Sequence, residues 1–254
     1  MSLIVTKQKK DIKNIIYLNS IDELNYIKEK DKYIEVGATT PLSKFESIIK
    51  KYYPDFNRIL KRYGSVQIRN VATLAGNIAT ASPIGDSLPL LLSLDASISI
   101  ESFNKKMTIP LKDFFIGYRK TKLKKGQFIS SIKIPIFKKN IFKAYKISKR
   151  IDDDISSVCA SFNLAIVNKK IKDIKIAYGG MAATPKRAVY CEKMLLNSNF
   201  SEDIILKAQK SLERDFQPID DMRASKDYRV EIAKNLLTKC FAEIKKNKLI
   251  RLNY

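Results

Sequence analysis

The stretch from Gly64 to Pro89 constrains the fold more than any other part of the chain, because it is unusually poor in bulky side chains. Its small residues include Ala72, Thr73, Ala75, Gly76, Ala79, Thr80, Ala81, Ser82, Gly85 and Ser87. Residues this small fill little of a hydrophobic core, but they let the backbone approach another group closely. Taken alone, the stretch predicts with equal weight a wall around a phosphate-bearing cofactor or a tightly packed turn with close helix packing.

Polar groups in the same stretch indicate what such a wall would bind. Thr73, Asn77 and Ser82 supply side-chain donors, and Asp86 supplies an acceptor. Backbone N–H groups in tight turns form concavities that attract anions. Because nothing bulky surrounds Asp86 in the sequence to call for a structural ion pair, we expect its carboxylate to bind a ligand.

The charge balance favours anionic ligands or acidic partners. Lysine and arginine number 48 against 26 aspartates and glutamates, which gives a net charge of +22. The lysines are spread along the whole chain and no RNA- or DNA-binding motif is present, so nucleic-acid binding is the weaker interpretation. No apolar run approaches the ~18–20 residues of a membrane span, and no signal peptide is evident. These features predict a cytoplasmic protein with no nucleic-acid or membrane contact.

The absence of histidine excludes several kinds of catalytic site. Ser-His-Asp and Cys-His nucleophiles, His-ligated zinc and HExxH chemistry all require this residue. The three cysteines, Cys159, Cys191 and Cys240, lie far apart without a CxxC pair, so they predict buried free thiols. We therefore expect no catalytic residue and no metal site, and redox work would need an organic cofactor.

Hydrophobic patterns predict strands and helices in both halves of the chain. Strands are indicated at residues 33–37, 97–100 and 128–134, a hairpin at 158–167 and 171–178, and strands or turns at 3–5 and 15–18. Thr40 with Pro41, Ser201 and Ser225 predict helix starts. The helix after Pro41 has an apolar stripe, and the helix after Ser225 would bury Tyr228, Ile232, Leu236 and Cys240. The pattern predicts an α+β chain of two units, residues 1–137 and 138–254.

A long motif in the small-residue stretch resembles a flavin-contacting loop. It comprises Gln67, Arg69–Asn70, Ala72–Thr73, Ala75–Gly76–Asn77, then Ala81–Ser82–Pro83 and Asp86. The same spacing is found in the FAD-binding subunits of xanthine dehydrogenase and carbon monoxide dehydrogenase type enzymes, except that Ala75 replaces a glycine. Further resemblance extends through Gly117–Tyr118–Arg119–Lys120–Thr121, residues 146–155, and Asp221–Met222–Arg223–Ala224–Ser225.

The resemblance implies a fold and a set of residue roles. The fold would be the second subdomain of a vanillyl-alcohol-oxidase-like (PCMH-type) FAD-binding domain, followed by a small α+β domain. The residues from Thr73 through Leu74, Ala75 and Gly76 to Asn77 would line the FAD diphosphate, and Asp86 would accept a hydrogen bond from a cofactor hydroxyl. Tyr63 and Ile129 would lie against the cofactor, and Lys146 would contact its polar edge.

The resemblance also implies a function in electron transfer. Partner chains would carry [2Fe–2S] clusters and molybdopterin, and FAD would pass electrons to NAD⁺ or another acceptor. The family places a glycine-rich loop before the matched region, and Met1 and Ser2 stand where that loop would finish. This leads to the expectation of an incomplete FAD site, weak FAD binding and self-association through an exposed face. The alternative is a docking subunit that carries no flavin.

Overall fold

The computed structural model describes residues 15–250, in which helices pack against two main antiparallel sheets. The strands are β1 (Ile27–Glu29), β2 (Tyr33–Gly37), β3 (Ser97–Ser102), β4 (Lys105–Pro110), β5 (Phe115–Gly117), β6 (Lys120–Thr121), β7 (Phe128–Pro135), β8 (Ile141–Ile147), β9 (Val158–Val167), β10 (Lys170–Gly179) and β11 (Lys186–Arg187). The α-helices are α1 (Leu42–Tyr52), α2 (Pro54–Lys61), α3 (Val66–Val71), α4 (Leu74–Thr80), α5 (Ser87–Ser93), α6 (Val189–Leu195), α7 (Glu202–Asp215) and α8 (Lys226–Lys246). Short 3-10 helices lie at Leu18–Ser20, Asp22–Leu24 and Leu111–Asp113. Within this range no helix is both long and apolar enough to cross a membrane; the strand or turn predicted at residues 3–5 lies outside the described part.

The first sheet has the strand order β1-β2-β7-β3-β4, and all neighbouring strands are antiparallel. Its strands β2, β3 and β7 confirm the three predicted from alternating residues. Val36 on β2 lies opposite Ile132 on β7, and both are fully buried in the first hydrophobic core. Helix α1 begins directly after Pro41 and buries an apolar stripe on this core, namely Leu42, Phe45 and Ile49.

The second sheet has the order β11-β10-β9-β8 and confirms the predicted hairpin between β9 and β10. Its turn places Asn168 and Lys169 in the left-handed region, with φ of 50° and 60°. This conformation suits a short connection between twisted strands. Helices α6 and α8 pack on this sheet, α7 packs on both helices, and together they enclose a second core.

Helix α8 starts at the predicted residue and turns the predicted face to the core at Ile232, Leu236 and Cys240, but not at Tyr228. Ser225 is its N-cap and accepts a hydrogen bond from the backbone N–H of Tyr228 at 3.2 Å. Leu236 is buried as predicted, whereas Tyr228 is exposed and Arg229 occupies the inward position. The prediction for Tyr228 is wrong because the guanidinium of Arg229 is held inside by the Asp221 carboxylate, 2.6 Å away.

Helix α5 and strand β8 connect the two layers. The Ser93 hydroxyl on α5 shares a 2.6 Å hydrogen bond with the Ser161 hydroxyl on β9, and the Ser93 carbonyl accepts from the Asn163 amide at 3.1 Å. Strand β8 lies at the edge of the second sheet, and α2 packs along it. The predicted boundary between residues 137 and 138 falls in the segment that links β7 to β8.

Candidate functional site

The small-residue stretch folds into α3, α4 and the start of α5, joined by tight turns. Thr73 caps α4, since its hydroxyl accepts a hydrogen bond from the Gly76 N–H at 2.9 Å. Ala81 ends this helix in the left-handed region, with φ of 47°. Leu74 and Ala75 are buried in the first core. The expectation that the stretch fills little of a core is therefore wrong for α4, whose small residues also allow close packing.

The outer side of α4 is exposed at Gly76. A side chain at this position would crowd the helix cap, because its Cβ would lie 3.2 Å from the hydroxyl oxygen of Thr73, closer than an ordinary contact. Leu74 and Ala75 bury their side chains, and their backbone N–H groups have no partner within the helix because they lie in its first turn. An exposed glycine beside such N–H groups suits the binding of an anion by the backbone.

A chain of hydrogen bonds connects Tyr63 with the end of this stretch. The Asn77 amide donates to the Tyr63 hydroxyl at 3.0 Å, and the Ser87 hydroxyl donates to the Asn77 carbonyl oxygen at 2.6 Å. Burial, with a smaller contribution from the nearby charge of Asp86, raises the pKa of Tyr63 to about 12. Tyr63 therefore stands at the site as a neutral phenol.

Asp86 is buried and engaged in an ion pair. Its carboxylate lies 2.7 Å from the Lys146 ammonium, and its other oxygen accepts a 2.5 Å hydrogen bond from the Ser156 hydroxyl. Lys146 is buried too and donates to the carbonyl of Arg62 at 2.9 Å. The expectation that nothing near Asp86 calls for an ion pair is wrong, because the fold brings Lys146 and Ser156 from beyond residue 140 to its side.

The structure brings most of the predicted site residues together. Asn77 contacts Tyr63, and Asp86 contacts Lys146. Ile129 differs from these polar groups, since it lies on β7 in the first core with 4% of its surface exposed. Because β7 packs against α4, Ile129 lies on the strand behind the motif.

The three thiols are buried and free, which confirms their prediction. Burial raises the pKa of each above its ordinary value, and for Cys159 the Asp86 carboxylate adds to the effect. Cys159 donates its S–H to the backbone carbonyl of Asp86 at 3.6 Å. It is therefore a packing residue behind the ion pair.

Sequence reasoning missed three contributors to this site. Arg62 donates to the carbonyl of Lys146 at 2.9 Å, and Ser156 completes the shell of Asp86. The Gly180 N–H donates to the Pro83 carbonyl at 2.8 Å and so fixes the motif from the second sheet. The pair Gly179–Gly180 was a usable signal for a close backbone approach, whereas nothing in the sequence marks Arg62 or Ser156.

Two family models together match nearly the whole chain. Residues 1–137 match the FAD binding domain in molybdopterin dehydrogenase. The chain belongs to this family. Residues 143–244 of this flavoprotein match the CO dehydrogenase flavoprotein C-terminal domain.

Similarities to individual proteins support the family membership of this chain. It is 32% identical to the glyceraldehyde dehydrogenase medium chain of Sulfolobus acidocaldarius, over 91% of this chain and 82% of that one. It is 34% identical to the xanthine dehydrogenase of Emericella nidulans over 79% of this chain, which spans 16% of that longer protein. A chain of carbon monoxide dehydrogenase from Hydrogenophaga pseudoflava superposes with a TM-score of 0.82 and 25% identity, covering 86% of this chain and 77% of that one. These similarities confirm the predicted FAD-binding fold with its α+β C-terminal domain.

The residues present fit FAD. The exposed glycine at Gly76 leaves the backbone of α4 uncovered. The N–H groups of Leu74 and Ala75, which have no partner within the helix, suit the negative charge of a diphosphate.

Proposed function

We propose that this chain holds the FAD that relays electrons in a molybdenum-hydroxylase-type dehydrogenase. Electrons would arrive from [2Fe–2S] clusters on a partner chain and leave the reduced flavin for NAD⁺ or another acceptor. The observation that carries this proposal is the exposed backbone at Gly76, within the Thr73–Asn77 segment of a chain of the FAD-binding family.

Each predicted site residue has a proposed role. The segment Thr73–Asn77 would hold the diphosphate, and Tyr63 and Ile129 would contact the cofactor. Lys146 would face its polar edge. Asp86 would act by fixing Lys146, because its carboxylate is already engaged by the ammonium and by a hydroxyl.

Bound FAD would supply the electron-transfer chemistry. The chain's own residues would bind it, orient it and limit its contact with water. We propose residues 1–137 as the flavin-binding domain and 138–254 as the domain that contributes Lys146. Iron–sulfur and molybdopterin chains are the proposed partners. Two relatives support them, because the glyceraldehyde dehydrogenase chain is a medium chain and the Hydrogenophaga carbon monoxide dehydrogenase is an enzyme of the molybdenum cofactor, solved in a form without its Mo-pyranopterin moiety.

A cleft beside the motif is the proposed entry point for the electron acceptor. Its volume is about 410 Å³, and it is lined by Pro83, Ile84 and Tyr118 from the first half and by Gly180 and Arg229 from the second. Apolar walls with a few polar groups are typical of sites for planar organic molecules.

The proposal is tested on the full chain purified with its partner subunits. In this complex we expect visible flavin absorbance in a 1:1 ratio to the chain, whereas the weak FAD binding expected from the sequence concerns the chain by itself. We also expect reoxidation of dithionite-reduced flavin by NAD⁺ or by an artificial acceptor. Gly76→Val adds bulk on the open side of α4 and should weaken FAD binding about tenfold or more, by the loss of at least one charge-assisted hydrogen bond. The control Ala242→Val, on α8, should retain the flavin.

A docking subunit without flavin is the second candidate. The observation that favours it is the engagement of Asp86 and Lys146 with each other, which leaves their charges compensated without a cofactor. A complex that assembles with this chain but shows no flavin absorbance would establish this alternative and contradict the first.

A further inference from the structure

Arg62 connects the end of α2 to one distant segment through all of its guanidinium nitrogens. Nη1 donates to the carbonyl of Lys146, Nη2 to the hydroxyl of Ser148 and Nε to the carbonyl of Ile151, each at 2.9 Å. These partners lie 84 to 89 residues away in the chain. Only a planar guanidinium offers donors in several fixed directions at once.

The backbone of Arg62 completes the connection in the opposite direction. Its carbonyl accepts from the Lys146 ammonium at 2.9 Å, beside the ion pair of Lys146 with Asp86. The far end of the segment is tied to the same carboxylate, because Ser156 donates to Asp86. Arg62 thus holds residues 147–155 near their start, at Ser148, and in their middle, at Ile151, and Asp86 holds the residue that follows them, while the side chains of residues 149–153 are exposed.

We propose that Arg62 is a positioning residue of the flavin site, which fixes Lys146 and the segment 147–155 without contacting the cofactor. This inference rests on the proposed function, because the role of Lys146 is to face bound FAD. Without the guanidinium, the carbonyls of Lys146 and Ile151 and the hydroxyl of Ser148 each lose a donor. The ammonium of Lys146 keeps Asp86 and the backbone carbonyl of Arg62 as partners, but the segment beside it is held less tightly.

The first test needs no flavin and uses limited digestion of the full chain with trypsin. Arg62→Met keeps an unbranched apolar stem at this position but removes every donor. We expect cleavage after Lys149 or Arg150, identified by mass spectrometry, to become more than about tenfold faster, because three hydrogen bonds are lost and a single bond to a charged group is worth about a factor of ten. The control is Arg58→Met on α2. The guanidinium of Arg58 pairs with Asp55 and not with the segment, so trypsin should cleave this variant at the wild-type rate.

Ser148→Ala removes one of the three acceptors and gives a milder variant. It should show an intermediate cleavage rate, and it decides the question if Arg62→Met does not fold. If Arg62→Met folds and is cleaved at the wild-type rate, the proposal is overturned. If Arg62→Met does not fold, cleavage of Ser148→Ala at the wild-type rate overturns it.

The second test measures the flavin in the purified complex. Arg62→Met should weaken FAD binding about tenfold and shift the visible absorption of the flavin that remains, and Arg62→Lys should recover part of both. If residues 147–155 of Arg62→Met are cleaved faster but its FAD affinity and flavin absorption spectrum are unchanged, the positioning role is also overturned. If the wild type itself carries no flavin, the proposed function fails, and the cleavage rates still decide whether Arg62 fixes the segment.

Discussion

The ammonium of Lys146 lies 2.7 Å from the carboxylate of Asp86, although 60 residues separate them in the chain. Both side chains are almost completely buried. Asp86 ends the flavin-type motif of the first half, and Lys146 lies on the first strand of the second sheet. The pair therefore joins the two halves of the chain at the position of the proposed flavin site.

Asp86→Ala should destabilise the protein by about 3–5 kcal/mol, because it leaves the buried ammonium of Lys146 without its counter-charge. The double variant Asp86→Ala/Lys146→Met should recover most of that loss. Urea unfolding of the single and double variants measures both values. Asp113→Ala, at an exposed aspartate, is the control, and strictly additive effects of the two substitutions would show that the pair contributes no coupling.

Leu236→Ala should destabilise the second core by about 2–5 kcal/mol, as for other buried leucines. Leu236 is 4% exposed on α8, whereas Leu206 on the neighbouring helix α7 is 52% exposed. Leu206→Ala is therefore the matched control and should change stability by less than about 0.5 kcal/mol. Equal shifts in the melting temperature of the two variants would argue against this core.

Gly180→Ala should be costly for two reasons. Gly180 has φ of 83°, and an added Cβ would run into the backbone carbonyl of Ser157. The conformation alone costs roughly 1–2 kcal/mol, and the collision with backbone adds to it. Gly126→Ala is the control, because Gly126 has φ of 78° but open space around it. Unfolding midpoints should fall further for Gly180→Ala, and similar midpoints would contradict the role of the collision.

Stability should fall above pH 10 partly because of Tyr63. Burial raises the pKa of Tyr63 to about 12 in the folded protein, whereas an unfolded tyrosine loses its proton near pH 10. The contribution of this group is complete below pH 10 and is lost as the pH rises to about 12, for a total of roughly 2–3 kcal/mol. Urea unfolding at pH 9 and pH 11 measures this effect. The free energy of unfolding should fall less between these pH values for Tyr63→Phe than for the wild type. Tyr17→Phe, at a tyrosine that is 65% exposed, should behave like the wild type.

The sequence by itself determined the local elements and the location of the motif. Alternating residues gave the strands β2, β3 and β7, and Ser225 with Ser201 gave the starts of the last two helices. These features depend on neighbours within a few residues, so the periodicity of side chains and the chemistry of caps are sufficient to predict them. The small-residue motif could be located for the same reason.

Only the tertiary structure decided which groups the motif meets. Whether Asp86 is free or paired depends on Lys146 and Ser156, and whether Tyr228 or Arg229 faces the core depends on Asp221. The residues in these pairs are far apart in the sequence, and only the path of the folded chain brings them together. The periodicity of side chains carries no information about that path. The free energy of a buried charge is set by its partner and not by its sequence neighbours. For that reason the motif could be located from the sequence, but the ion pair of Asp86 with Lys146 and the hydrogen bonds of Arg62 could not.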